Sequence, residues 1–171
     1  MIDYHQPSPH QDQRPDPTNI KLLVIHNISL PPSCFDGPWI DDLFMGRLCG
    51  KAHPYFAPIA QIKVSSHLVI RRDGTSIQYV PFERRAWHAG VSSWQGENKC
   101  NDFSIGIELE GADDIPYTEA QYKRLAMVIK SLFIQYPKLA KETVCGHSDI
   151  APGRKTDPGP SFDWQHLFAL I

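Results

Sequence analysis

Apolar residues recur along this chain with two periods, one near 3.6 and one of 2, and they divide it into a small set of elements. The longest helical stripe lies in 118–136, where Tyr122, Leu125, Ala126, Ile129, Leu132 and Phe133 keep i, i+3, i+4 spacing and Lys123, Arg124 and Lys130 fall off it. Thr118 and Gln121 form a capping box at its start, and Pro137 stops it. A shorter stripe of Trp39, Leu43, Phe44 and Leu48 predicts a helix within 36–48, capped by Asp36. Residues 162–171 (FDWQHLFALI) predict a short closing helix with Trp164, Leu167 and Phe168 turned inward. Strand signals are equally clear. Residues 20–25 (IKLLVI) are a nearly continuous, β-branched apolar run, the pattern of a buried strand that ends at His26. Residues 64–70 (VSSHLVI) and 76–80 (SIQYV) flank Asp73 and Gly74, a hairpin turn signal. Residues 103–110 (FSIGIELE) alternate, with Phe103, Ile105, Ile107 and Leu109 on one side and Ser104, Gly106, Glu108 and Glu110 on the other. Gly106 leaves room there for another group to approach the backbone closely.

The remaining segments read as connections. Residues 1–19 are polar and rich in Pro, Gln and His, an extended arm whose His5 and His10 are expected to be solvated. Residues 50–62 form a Pro-interrupted loop with Tyr55 and Phe56 exposed. Trp94, in the polar loop after Trp87 and His88, is either a pocket wall or a locally packed surface aromatic. Residues 145–158 (CGHSDIAPGRKTDP) are stiffened by Pro152, Gly153 and Pro158, so an irregular loop is expected and a helix is not. The expected organisation is an arm over 1–19 and one α/β domain over 20–171.

Totals narrow the function classes. A length of 171 residues suits one domain with a single sizeable core. Hydrophobic content of 42% and charged content of 21% are ordinary for a soluble globular protein. A formal charge of −2 offers no electrostatic reason for nucleic acid or an anionic membrane as partner. Four cysteines form no CxxC pair, and free thiols in a reducing compartment are expected. The first residues lack the basic and then apolar pattern of a signal peptide, and no apolar run approaches the roughly 18 residues of a membrane span. A soluble, cytoplasmic chain is expected.

The chemistry concentrates in the stiff loop, which holds His147, Asp149, Lys155 and Asp157. Imidazole and carboxylate are ligands that zinc prefers, and a catalytic zinc has three protein ligands and an open fourth position. His26 at a strand end, with His147 and Asp157, would supply the three. Each has an ordinary alternative, a hydrogen-bonded core histidine or turn residues at the surface, and eight histidines offer many triples. There is no HExxH, so this is not the helical zinc-protease arrangement. Glu108 would accept a proton from the attacking water and deliver it to the leaving nitrogen, if it is not simply a solvent-facing carboxylate. Lys155, if not a solvated loop lysine, would place positive charge beside an oxyanion.

The motifs LLVIHN, SSHLVIRRDG, AWHAGVSSWQG, CNDFSIGIELEG and GHSDIAPGRKTDPG together resemble the zinc-dependent N-acetylmuramoyl-L-alanine amidases, in particular their cytoplasmic branch acting on 1,6-anhydro sugars, over about residues 20–171. The resemblance implies a central mixed β-sheet flanked by α-helices, the fold shared with peptidoglycan recognition proteins. It places one zinc ion on His26, His147 and Asp157, and catalysis on Glu108 and Lys155. Substrate contacts fall on Asn27, Lys63, Lys99 and Ala151. Where the family has Arg at the two basic positions, Lys keeps the charge but loses the bidentate fork for a carboxylate. His67 is read as buried support, and Trp87 with His88 as cleft wall or as support behind the ligands. The implied reaction is cleavage of the amide between (1,6-anhydro-)N-acetylmuramic acid and L-Ala of muropeptides by a monomer, in recycling of wall fragments, which would limit the muropeptides that signal β-lactamase induction. Two alternatives remain, a non-catalytic peptidoglycan-binding module and an amidase acting on intact wall.

Overall fold

The two most apolar segments of the chain lie side by side at the centre of the sheet. The computed structural model describes residues 2–171. Its strands are β1 (Tyr4–His5), β2 (Gln11–Gln13), β3 (Leu22–Ile28), β4 (Leu68–Ile70), β5 (Ser76–Gln78), β6 (Arg84–Ala86), β7 (Ser93–Trp94), β8 (Glu97–Asn98), β9 (Ser104–Glu110) and β10 (Val144–Gly146). The helices are α1 (Trp39–Phe44), α2 (Glu119–Gln135), α3 (His147–Ile150) and α4 (Trp164–Leu170). Six strands form one sheet in the order β1-β5-β4-β9-β3-β10, while β2 pairs with β6 and β7 with β8. Pairings of β9 with β3 and β4, and of β3 with β10, are parallel; the β4–β5 hairpin is antiparallel. This is the expected α/β fold with a mixed sheet and flanking helices.

Period-2 alternation divides the sheet between two faces. Leu23, Ile25, Ile105, Ile107 and Leu109 join Leu125, Ile129 and Leu132 of α2 and Leu167 of α4 in one core cluster. Leu22 and Val24 face the other way, with Cys100, Phe103 and Cys145. In register, His26 lies opposite Glu108 and Val24 opposite Gly106, so His26 and Glu108 project from the same face on adjacent central strands. The capping box at Thr118 and Gln121 is formed as expected. Gln121 is buried and its amide donates to the carbonyls of Ile70 and Glu110.

Several local expectations give way to tertiary structure. His26 is inside β3 rather than at its exit, because parallel pairing with β9 continues to Ile28 and Glu110. The helix within 36–48 is only α1; Pro38 precedes it without a side-chain cap, and Gly37 at φ +101° sets its start in place of Asp36. Phe56 is fully buried, since a 3-10 turn over Pro54–Phe56 carries its ring to 5.1 Å from that of Trp39. Phe103 precedes β9 and turns to the Leu22 side, away from Ile105. Within 145–158 one helical turn, α3, does form, because Pro152 and Gly153 lie beyond it.

The N-terminal arm pairs through β1 with β5 and through β2 with β6. That pairing satisfies its backbone and carries two polar side chains inward. His10 is buried rather than solvated, with Nδ1 3.1 Å from the Val64 carbonyl and its ring stacked on Trp87. Arg14 is buried, and its guanidinium donates to the carbonyls of Phe82, Asn101, Asp102 and Ser104. Burial pulls it down to about 10.

Candidate metal centre

Three elements deliver one ligand atom each to a single point. β3 supplies His26; the adjacent strand β10 runs directly into α3, which starts at His147; the loop beyond supplies Asp157. The atoms are His26 Nδ1, His147 Nδ1 and Asp157 Oδ2, with separations of 2.9, 3.1 and 3.0 Å. Ligands on a tetrahedral zinc with bonds near 2.0–2.1 Å lie about 3.3 Å apart, so the triangle is that of a slightly contracted site. Among the described residues, this is the one group of His, Cys, Asp and Glu side chains arranged to hold a metal.

Hydrogen bonding behind the ligands shows that the donor set fits a cation. His147 Nε2 lies 3.1 Å from the Ala89 carbonyl, which only accepts, so in the neutral ring Nε2 carries the proton and Nδ1 is bare. His26 Nε2 lies 2.9 Å from His88 Nδ1, and His88 Nε2 lies 3.2 Å from Ser104 Oγ. A proton on each Nε2 lets His26 donate to His88 and His88 donate to Ser104, again leaving His26 Nδ1 bare. Burial pulls His26 down to about 4 and His88 well below the ordinary histidine value, so both rings are neutral near pH 7. Two nitrogen lone pairs and a carboxylate oxygen converging at about 3 Å repel one another unless a cation lies among them.

Glu108 stands beside this triangle, its Oε1 4.0 Å from His26 Nδ1. Its Oε2 is buried and, among the described residues, is the one such side-chain atom without a hydrogen-bond partner. Burial first, and then the nearby Asp157 charge, push its pKa well above the ordinary value. A carboxyl held in that state is suited to take and return a proton.

These groups lie in a cleft of about 660 Å³ that also reaches Asn27, Asp113, Lys155 and Arg154 on its polar side and Leu30, Phe44, Tyr55, Ile59 and Trp87 on its apolar side. Asn27 Nδ2 donates to Asp113 Oδ1 at 2.7 Å. Lys155 is exposed at the cleft. Trp87 lines the cleft and His88 supports His26 from behind. His67 is buried away from the cleft, its Nδ1 accepting from Gly106 N–H at 3.0 Å and its Nε2 donating to the Arg84 carbonyl. Lys63, Lys99 and Ala151 are not brought to the cleft lining. Lys63 is exposed between two lining residues, Ile62 and Val64. Lys99 is exposed in a left-handed turn at φ 63°, and Ala151 is buried, its carbonyl accepting from the backbone of Arg154 and Lys155. Trp94 packs against the cluster around Leu22 and is not part of the cleft wall. Sequence reasoning missed Asp113, Asn101 and Arg154. Only Arg154 carried a signal, its place beside Lys155.

The sequence profile of the N-acetylmuramoyl-L-alanine amidases matches residues 16–160. The chain is 62% identical over 165 residues to the 1,6-anhydro-N-acetylmuramyl-L-alanine amidase AmpD of Citrobacter freundii, covering 96% of this chain and 88% of that protein. A crystal structure of an AmpD selenomethionine derivative superposes with a TM-score of 0.96 at 58% identity, covering 100% of this chain and 99% of the other. The amidase AmiD of Escherichia coli, solved with anhydro-N-acetylmuramic acid-L-Ala-D-gamma-Glu-L-Lys, superposes with a TM-score of 0.65 at 33% identity, covering 89% of this chain and 57% of AmiD. The cleft, its three converging ligand atoms and these similarities agree: the chain belongs to the N-acetylmuramoyl-L-alanine amidase family.

Proposed function

We propose that this chain hydrolyses the amide joining the lactyl group of 1,6-anhydro-N-acetylmuramic acid to the L-Ala of a cell-wall muropeptide, with one zinc ion held by His26, His147 and Asp157. The observation that carries this reading is the convergence of three bare ligand atoms beside a buried, unpartnered carboxyl on the floor of an open cleft. Similarity to AmpD, and to AmiD with its bound anhydro-muropeptide, supports the choice of substrate. A cytoplasmic monomer working in the recycling of wall fragments belongs to the same reading and rests on the similarity to AmpD.

Zinc, when bound, would polarise the scissile carbonyl and make water more acidic. Glu108 takes the proton of the attacking water and hands it to the departing L-Ala nitrogen; its raised pKa brings both transfers closer to neutral pH. Lys155, at the cleft, steadies the negative charge that develops on the carbonyl oxygen. Asn27 lines the cleft with its Nδ2 donating to Asp113 Oδ1 and to the Pro158 carbonyl, which leaves Oδ1 to accept from the substrate. The exposed Lys63 and Lys99 attract peptide carboxylates, while the buried Ala151 acts only through its carbonyl, which accepts from the backbone of Arg154 and Lys155.

Incubation of the purified protein with a soluble anhydro-muropeptide, with and without a chelator, tests this reading. The expected products are anhydro-N-acetylmuramic acid and the free stem peptide, in a reaction abolished by the chelator and restored by zinc. Binding without turnover, or turnover untouched by metal removal, would overturn it. A higher rate on intact sacculi than on the soluble fragment would overturn the substrate assignment.

A further inference from the structure

Both imidazole ligands lean on the same two residues, His88 and Ala89, which follow one another in a loop and offer different groups. The His88 ring receives His26 Nε2 at Nδ1, 2.9 Å away, and the Ala89 carbonyl receives His147 Nε2 at 3.1 Å. The segment is pinned from both sides. Asn101 Oδ1 accepts from the backbone N–H of His88 at 3.1 Å and of Ala89 at 2.8 Å. Arg154 Nη2 donates to the carbonyl of Ala89 at 2.6 Å and of Val91 at 2.7 Å, bridging Gly90, which sits at φ +59°. The Ala89 carbonyl therefore serves a metal ligand and an arginine at once. Gly106 makes the arrangement possible, since a Cβ there would overlap the His88 ring.

We propose that the His88–Ala89 segment is the positioning element for both imidazole ligands, with Asn101 and Arg154 holding it in place. The inference rests on the metal-site reading above. The Ala89 carbonyl fixes the proton of His147 on Nε2, and in this proposal the His88 ring does the same for His26 by accepting at Nδ1, so that each Nδ1 is bare and aimed before any ion arrives and zinc binding needs no ring flip or tautomer exchange. Losing such an outer partner weakens metal binding by about 10–100-fold in comparable sites. Neither His88 nor Arg154 touches the ion in this arrangement; both act through the ligands.

The experiment is a zinc competition titration against a chromophoric chelator, paired with nitrogen-15 spectra of the imidazoles in the folded, metal-free protein. His88→Leu removes the acceptor and keeps the bulk, and is expected to weaken zinc binding about tenfold or more. His88→Asn puts an amide oxygen near the place of Nδ1 and is expected to stay within about threefold of the wild type, although it packs less well than Leu. In the spectra, His88→Leu should scramble the His26 tautomer and spare His147, while Arg154→Ala should disturb His147 and spare His26. Equal loss in the Leu and Asn variants, zinc affinity within about twofold of the wild type in both His88→Leu and Arg154→Ala, or unchanged tautomers would each overturn the proposal. If His88→Leu does not fold, Arg154→Ala decides, because that side chain is exposed and its removal opens no core. A wild-type protein that takes up no zinc would instead overturn the metal-site reading, a distinct outcome.

Discussion

His26 Nδ1 and His147 Nδ1 lie 2.9 Å apart, although 121 residues separate them along the chain. Parallel pairing of β10 with β3 makes this contact: Gly146 is in register with Ile25, so the next residue on each strand path is a histidine. Asp157 Oδ2 completes the triangle. In the Asp157→Ala variant the negative ligand is gone and two neutral rings remain. Zinc content after dialysis should fall from about one per chain to near zero, with amidase activity lost in parallel. Elemental analysis measures this, and full zinc retention would remove Asp157 from the ligand set.

Glu108 makes a different prediction, because it adjoins the site without being needed to hold the ion. Glu108→Gln keeps the shape and removes the proton acceptor. Zinc content should be unchanged while turnover on an anhydro-muropeptide falls by roughly 10²–10⁴. Near-normal rates would exclude Glu108 from proton transfer.

Gly106 is a prediction about packing. It lies in β9 opposite Val24, and the His88 ring occupies the space over its Cα. Gly106→Ala forces that ring aside in a close-packed interior, at an expected cost of about 1–3 kcal/mol in a urea denaturation of the metal-free protein. Unchanged stability would mean that the His88 ring has room to yield.

His67 predicts how acid weakens the fold. Burial first, and then the Arg14 charge, pull it down to about 3 from the ordinary 6.5. Its Nδ1 accepts from Gly106 N–H, so a proton there would cost that bond and place a second positive charge beside Arg14. The unfolded chain takes up a proton near pH 6.5 that the folded chain refuses until about pH 3, so stability falls as pH drops through that window. The contribution is about 1.4 kcal/mol per pH unit for this one group. Urea unfolding of the metal-free protein at pH 7 and pH 5 should show the loss. His67→Asn, which still offers an acceptor to Gly106, should lose less over the same interval. Equal losses in both would assign the acid sensitivity to other groups.

Much of this protein is legible in its residue order because local rules and tertiary rules agree there. The Thr118–Gln121 cap and the stripe of α2 specify that helix whatever surrounds it. Alternation along β9 puts Glu108 and Gly106 on one face before any partner strand is known. Residue types in the loop from Cys145 to Pro158 offer candidate metal ligands beside an ordinary turn reading, and the resemblance to the family motifs is what singles out His147 and Asp157.

Other features depended on contacts between distant segments, which no local pattern encodes. The polar arm gives no sign that His10 and Arg14 are buried, because the strands that receive it lie some 70 residues further on. Phe56 looks exposed in a Pro-broken loop until Trp39 covers it. That His26 lies within β3 follows from the register with β9. The orientation of both imidazoles depends on a carbonyl at Ala89 and a ring at His88, and a backbone carbonyl leaves no trace in a sequence. Side-chain types and their period settled which groups are available; only the folded chain decided which of their atoms meet, because hydrogen bonds between segments depend on register and not on composition.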